Sequence, residues 1–329
     1  MFKHQNIWAM SLLASAVMLS ACQPQKAEPK PEEKTEVKPV EKPDQSMKLI
    51  GDTEELNLNM PECKGNSCPE ISIERLSSNQ SFIDQYVDRE ILKELGQILS
   101  VEAVPEKELR AASEAGAASA AQSELAQVET PKIKLEKQTA PYMQAFGKLD
   151  QELKALSSAQ KISLMIKPKI LNAELPLATV VLNSSSYLGG AHGSSAQQYY
   201  NFDIKTQKLV MLDQIIEPKQ RGALDKKAHD AFKVWVTDAK LADNVAEYEQ
   251  AWKFKLSNNY YLGREGLILQ YAEYEIGPYV VGLPRLIIPY SELNGILKPE
   301  YMPEHPNNDV SKKPDATAAH ISTLVNTDV

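Results

Sequence analysis

The sequence predicts an α+β fold in which antiparallel hairpins are packed by amphipathic helices in two intimate lobes. Two periodicities carry that prediction. Apolar residues three and four apart mark helices at Ile83, Val87, Ile91, Leu95 and Ile98, at Met143, Phe146, Leu149, Leu153 and Leu156, and at Leu224, Ala228, Ala231, Phe232 and Trp235. Alternating residues mark strands at Ile162, Leu164 and Ile166, and at Tyr200, Phe202, Ile204, Leu209 and Met211 on either side of the polar run KTQK. Hydrophobic content of 43% and charged content of 24% are ordinary for a globular protein.

The first 21 residues predict a lipoprotein signal peptide. Lys3 and His4 precede an apolar run from Ile7 to Leu19, too short for a mature membrane helix. Leu19, Ser20 and Ala21 before Cys22 resemble a lipobox, which implies cleavage there and acylation of Cys22, an anchor in the lipid bilayer. With Gln23 rather than aspartate after the cysteine, enterobacterial sorting implies the outer membrane, facing the periplasm. Residues 22–45 then form a disordered tether, because prolines, lysines and glutamates with almost no large apolar side chains cannot offset the entropy of ordering.

Residues 46–101 read as an N-terminal lobe, with short strands between Met47 and Met60 and from Ile71 to Leu76, and a helix capped by Ser81 with Asp84. Cys63 and Cys68 can close a small disulfide loop in an oxidising compartment. Zinc is the rival reading, but no histidine lies nearby to complete the ligand set. Residues 102–137 read as an alanine-rich insertion, since no large apolar stripe is present to dock a helix.

Residues 138–298 form the predicted C-terminal lobe. Thr139 and Pro141 supply helix-start signals, and the apolar run Leu175–Leu182 fits a central strand. That strand feeds YLGGAHG, residues 187–193, where Gly189, Gly190 and Gly193 free the backbone around His192. Further on, Leu267, Leu269 and Tyr271 alternate, Leu286–Ile288 make a short strand ended by Pro289, and Ser291 precedes a helix carrying Leu293, Ile296 and Leu297. Residues 299–329 read as a disordered tail.

Catalytic patterns are incomplete. His192, His229, His305 and His320 show no H-x-x-x-H spacing of the kind a polysaccharide deacetylase uses for a metal, and Ser184, Ser185 and Ser186 sit in no G-x-S-x-G elbow. Glu273 and Glu275 could share a strand face near Asp203, yet strand carboxylates usually only face water. The expectation is that the protein is not an enzyme and takes no cofactor or metal. The net charge of −8 argues against nucleic acid and suits a basic partner. His192 reads as a turn residue donating to backbone rather than as a base. The tyrosines at strand ends are mostly core, though such rings also supply rigid contact area.

YLGGAHG, followed by YYNFDIKTQKLVMLDQII and then NYYLGREGLILQYAEYEIGPYVVGLPRLIIPYSEL, resembles the RsiV-like extracytoplasmic domain family, across roughly residues 60–298. The resemblance implies a mixed α+β domain, found in some relatives beside polysaccharide deacetylase domains, and in the best-known member a lysozyme-binding surface. The expectation that follows from the resemblance is a lipid-anchored envelope binding protein, with a lysozyme-like muramidase as the hypothetical partner. The contact surface would be Tyr187, Gly189, Gly190, His192, Gly193, Glu273, Tyr274 and Tyr279. The alternative is a binder of peptidoglycan or another cell-wall glycan, and a hydrolase is the third reading.

Overall fold

The computed structural model describes residues 47–60, 62–63, 67–101, 129–156 and 161–303. The signal peptide, Cys22, the tether, most of the alanine-rich stretch and the tail beyond residue 303 lie outside the described residues. Among the described residues, nine strands and five helices make a mixed α+β fold. Strands β1 (Gly51–Glu55), β2 (Glu70–Ser78), β3 (Ser163–Asn172), β4 (Ala178–Tyr187), β5 (Ser194–Asp203) and β6 (Lys208–Leu209) form a six-stranded sheet in that order. A second sheet joins β7 (Tyr260–Leu262), β8 (Gly266–Gln270) and β9 (Arg285–Pro289). All pairings are antiparallel except β2 with β3. That parallel pair needs a long crossover, which contains α1 (Ser81–Leu99) and α2 (Pro131–Ala155).

Two apolar cores follow. The first packs Ile83, Val87, Ile91 and Leu95 of α1 and Leu135, Tyr142, Met143 and Phe146 of α2 against the inward residues of β2–β5. The second gathers Leu224, Ala228, Phe232 and Val236 of α4 (Arg221–Asp238) against Leu267, Leu269, Leu286 and Ile288. Phe232 has no exposed surface and lies among Trp235, Tyr248 of α5 (Val245–Ala251) and Phe254, with ring centroids 5.5–6.1 Å away.

Several local expectations are corrected. Helix α2 starts not at Thr139 but at Thr130, whose hydroxyl accepts from Ile133 N while Pro131 fills the first turn. Thr139 and Pro141 are interior, and the Thr139 hydroxyl turns back onto Glu136 O. The helix therefore takes in part of the stretch read as an insertion and shares the core of α1. Ser81 makes no capping box; Asp84 instead reaches back to the amide and hydroxyl of Ser78. Met211 is 53% exposed because β6 ends at Leu209 and the chain turns into the short α3 (Leu212–Ile215). The segment after Pro289 is a 3₁₀ turn, not a helix, yet it still buries Leu293, Ile296 and Leu297. Cys63 and Cys68 are joined as a disulfide.

Strand β6 is so short that it covers β5 only at Phe202 and Asp203. The rest of that β5 edge would present unpaired backbone groups. Side chains and loops close it instead. Asn259 accepts from Tyr199 N at 2.9 Å and donates to Gln197 O at 2.7 Å, imitating a strand partner. Val210 N donates to Asn201 O, and the Asn201 amide reaches across to Tyr260 O at 2.7 Å. These bonds join the two sheets.

Candidate functional site

The tip of the β4–β5 hairpin and the loop between β8 and β9 meet at one surface. At the tip, Gly189 and Gly190 have φ of 91° and 105°, in the region that favours glycine. Tyr187 folds back to donate to Gly190 O at 3.0 Å, so its hydroxyl holds the loop. At Gly193 a Cβ would lie 2.9 Å from Ser186 O, so the hairpin closes only around glycine there.

The facing loop is a compact turn rather than a strand. Glu275 accepts from Ala272 N, and Tyr274 takes φ 63°, a conformation costly for a bulky side chain. Gly277 leaves room for the Tyr248 hydroxyl, which donates to Ile276 O at 3.0 Å. Glu273 and Glu275 are thus not neighbours on a strand face. The Glu273 carboxylate accepts from Ser195 N at 2.9 Å and from the Ser194 hydroxyl at 3.0 Å, closing the start of the β5 edge. Asp203 accepts from Lys205, Thr206 N and the Thr206 hydroxyl, and shapes the β5–β6 turn.

Three rings come together where the loops touch. His192 stacks on Tyr279 with centroids 3.9 Å apart and planes 24° apart, and Tyr274 lies 5.8 Å from Tyr279. The hydrogen bonds fix the imidazole tautomer. Gly193 O can only accept, so His192 Nδ1, 2.9 Å away, carries the proton. In the neutral ring Nε2 accepts from the Tyr274 hydroxyl at 3.1 Å, and Tyr279 donates to the same Gly193 carbonyl at 3.0 Å. His192 is exposed, as is Tyr274 at 49%, and Tyr279 is half-buried beside them, so the cluster lies at the surface on a cross-linked backbone. Of the eight residues the sequence singled out, His192, Tyr274 and Tyr279 form this platform. Tyr187, Gly189, Gly190, Gly193 and Glu273 shape and hold it.

A separate cavity of about 290 Å³ lies between α1 and β5, lined by Tyr86, Glu90 and Glu94 of the helix and Gln198, Tyr200 and Asn201 of the strand. Tyr200 donates to Glu90 at 3.0 Å, and Ser184 donates to Glu94 at 2.6 Å. Burial, reinforced by Glu90, pushes the Tyr200 hydroxyl far above its ordinary range. Burial and Glu90, opposed by Arg89, raise Tyr86 to about 12. These phenols stay protonated as donors. Among the described residues no three His, Cys, Asp or Glu side chains are grouped as a metal ion would need, and no helix is long and apolar enough to cross a membrane.

Residues 197–291 match the family model described as "Protein of unknown function (DUF3298)". The match overlaps the second and third of the sequence blocks quoted above and supports a DUF3298 domain there; it carries no link to the RsiV-like family itself. The DUF3298 match begins within β5 and contains Glu273, Tyr274 and Tyr279, whereas the glycine–histidine tip precedes it. A DUF3298 protein from Pseudomonas aeruginosa PAO1 is similar in structure, with a TM-score of 0.53 and 24% identity, covering 78% of this chain and 96% of that one. This supports a shared fold. A DUF3298 member from Bacteroides fragilis aligns with a TM-score of 0.49 and 18% identity, covering 77% of this chain and 93% of that one.

In sequence, the chain is 23% identical over 186 residues to the peptidoglycan-N-acetylmuramic acid deacetylase PdaC of Bacillus subtilis, covering 54% of this chain and 38% of that protein. The chain thus spans well under half of that relative's length. This similarity corrects the expectation that the protein is not an enzyme. That expectation rested on catalytic motifs missing from a single sequence, and such an absence does not decide the matter against a relative named as a deacetylase.

Sequence reasoning missed Gln197, Asn259, Gln270 and Arg285, which lie where the outward faces of the two sheets meet. Gln197 and Tyr199 alternate with Tyr200 and Phe202, a signal that puts them on the other face of β5, where the second sheet buries Tyr199. Only the pairing of the sheets shows that Arg285 joins them.

Proposed function

We propose that this is a cell-envelope protein that engages peptidoglycan glycan chains at the His192–Tyr274–Tyr279 platform. The observation that carries the reading is the cluster of three rings, with His192 and Tyr274 exposed and Tyr279 half-buried beneath His192, locked to two loops by hydrogen bonds. The apolar face of a pyranose packs on such rings, and nearby hydroxyl and carbonyl groups can meet its polar edge. Little ordering entropy remains to oppose binding. The similarity to part of a peptidoglycan deacetylase supports the same substrate class. Anchoring through Cys22 at the outer membrane would put the protein in the same compartment as the wall.

The test is calorimetric titration with soluble N-acetylglucosamine–N-acetylmuramic acid oligosaccharides, with acetate release followed in the same samples. Saturable binding is expected. Acetate release would extend the function from recognition to deacetylation, and absence of binding at high micromolar protein would refute the reading. A second reading is a basic muramidase docked on this surface, favoured by the net charge of −8. Binding to a c-type lysozyme that weakens steeply with salt would favour it over the glycan.

A further inference from the structure

Arg285, at the start of β9, is held by neutral partners. Its Nε donates to Gln270 Oε1 at 2.8 Å and its Nη2 to Gln197 Oε1 at 2.6 Å, with the Tyr199 hydroxyl 3.4 Å from Nη2. Gln270 is 1% exposed, and its own amide is fixed by Tyr271 O and Pro284 O, so the anchor is rigid. Gln197 is fixed in turn by donating to Asn183. Tyr199 stacks on Tyr261 with centroids 4.4 Å apart, forming a flat wall beside the guanidinium. Among the described residues no carboxylate pairs with Arg285, and its Nη1 has no protein acceptor. The side chain is exposed. A guanidinium oriented by amides but not neutralised presents an ordered pair of donors to an incoming anion.

Gln197 lies two residues beyond Ser195 on the same face of β5, and Ser195 is bonded to Glu273 of the platform loop. Ser195 and Gln197 are roughly 7 Å apart along the strand, so the Arg285 anchor and the platform loop both attach to this one edge. We propose that Arg285, flanked by Tyr199 and Tyr261, is a carboxylate subsite that reads the acidic groups of a cell-wall glycan whose neighbouring sugar rests on the platform. This rests on the proposed glycan recognition and adds the group that tells a muramyl sugar from a neutral one. The carboxylate can come from the lactyl group of muramic acid or from an attached stem peptide.

The experiment measures affinities for three probes: the N-acetylglucosamine–N-acetylmuramic acid disaccharide with its lactyl group free, the same disaccharide carrying a stem peptide, and chitobiose, which has no carboxylate. Arg285→Gln should weaken whichever acidic probe uses the subsite by about ten- to a hundredfold and leave chitobiose unchanged. Loss confined to the first probe identifies the lactyl group, and loss confined to the second identifies the peptide. Arg285→Lys keeps the charge and should retain part of the preference, and binding of the acidic probe to the unaltered protein should weaken with salt. Equal affinity for all three probes in the unaltered protein, insensitive to salt, would overturn the subsite while leaving glycan recognition standing. Failure of all three to bind would overturn both.

Discussion

Replacing Asn259 with alanine lowers stability by about 2–4 kcal/mol, an outcome expected from two backbone groups losing their partners at once. Tyr199 N and Gln197 O both bond to this side chain, and β6 is too short to supply substitutes. Tyr199 is buried, so water cannot readily replace its lost acceptor. Asn259→Asp should fall between alanine and the native residue, because it keeps an acceptor for Tyr199 N but sets a carboxylate against Gln197 O. Urea denaturation of the three proteins checks the order. A loss below about 0.5 kcal/mol for alanine would mean that the β5 edge does not depend on this clamp.

Phe232→Ala should cost about 3–5 kcal/mol, through lost burial and the cavity left among Trp235, Tyr248 and Phe254. Tyr248 also donates to Ile276 O beneath the platform loop, so a relaxed core should loosen that loop as well. Phe232→Leu should recover part of the loss. The check is the denaturation midpoint of each variant, together with amide exchange at residues 272–281. Unchanged exchange in the alanine variant would uncouple the platform from this core.

The elements legible in sequence were those with a local signature. The stripe Ile83, Val87, Ile91 and Leu95 and the alternation Ile162, Leu164, Ile166 are fully or almost fully buried, because periodicity reports which face an element turns inward. The platform was legible in part. Glycines around His192 and tyrosines after β8 named the two loops, but not that Tyr274 donates to His192 or that Tyr279 stacks on it. Glu273 read as a strand carboxylate because alternation looked unbroken through Tyr271, whereas the positive φ at Tyr274 turns the chain. The α2 start was missed because Pro141 reads as a boundary, while the earlier Thr130–Pro131 pair makes the cap. Asn259 and Arg285 had no signature at all. Their roles depend on which sheet edge faces which, and that is a long-range property.

The measurement that tests the central claim most directly is an amide and imidazole NMR titration of the protein with N-acetylglucosamine–N-acetylmuramic acid oligosaccharides. Saturable shifts should concentrate at residues 188–195 and 272–281, include the His192 ring, and be lost in Tyr279→Ala. Shifts centred on the Glu90 and Glu94 cavity, or a Tyr279→Ala protein that binds as the native one does, would contradict the platform as the glycan site.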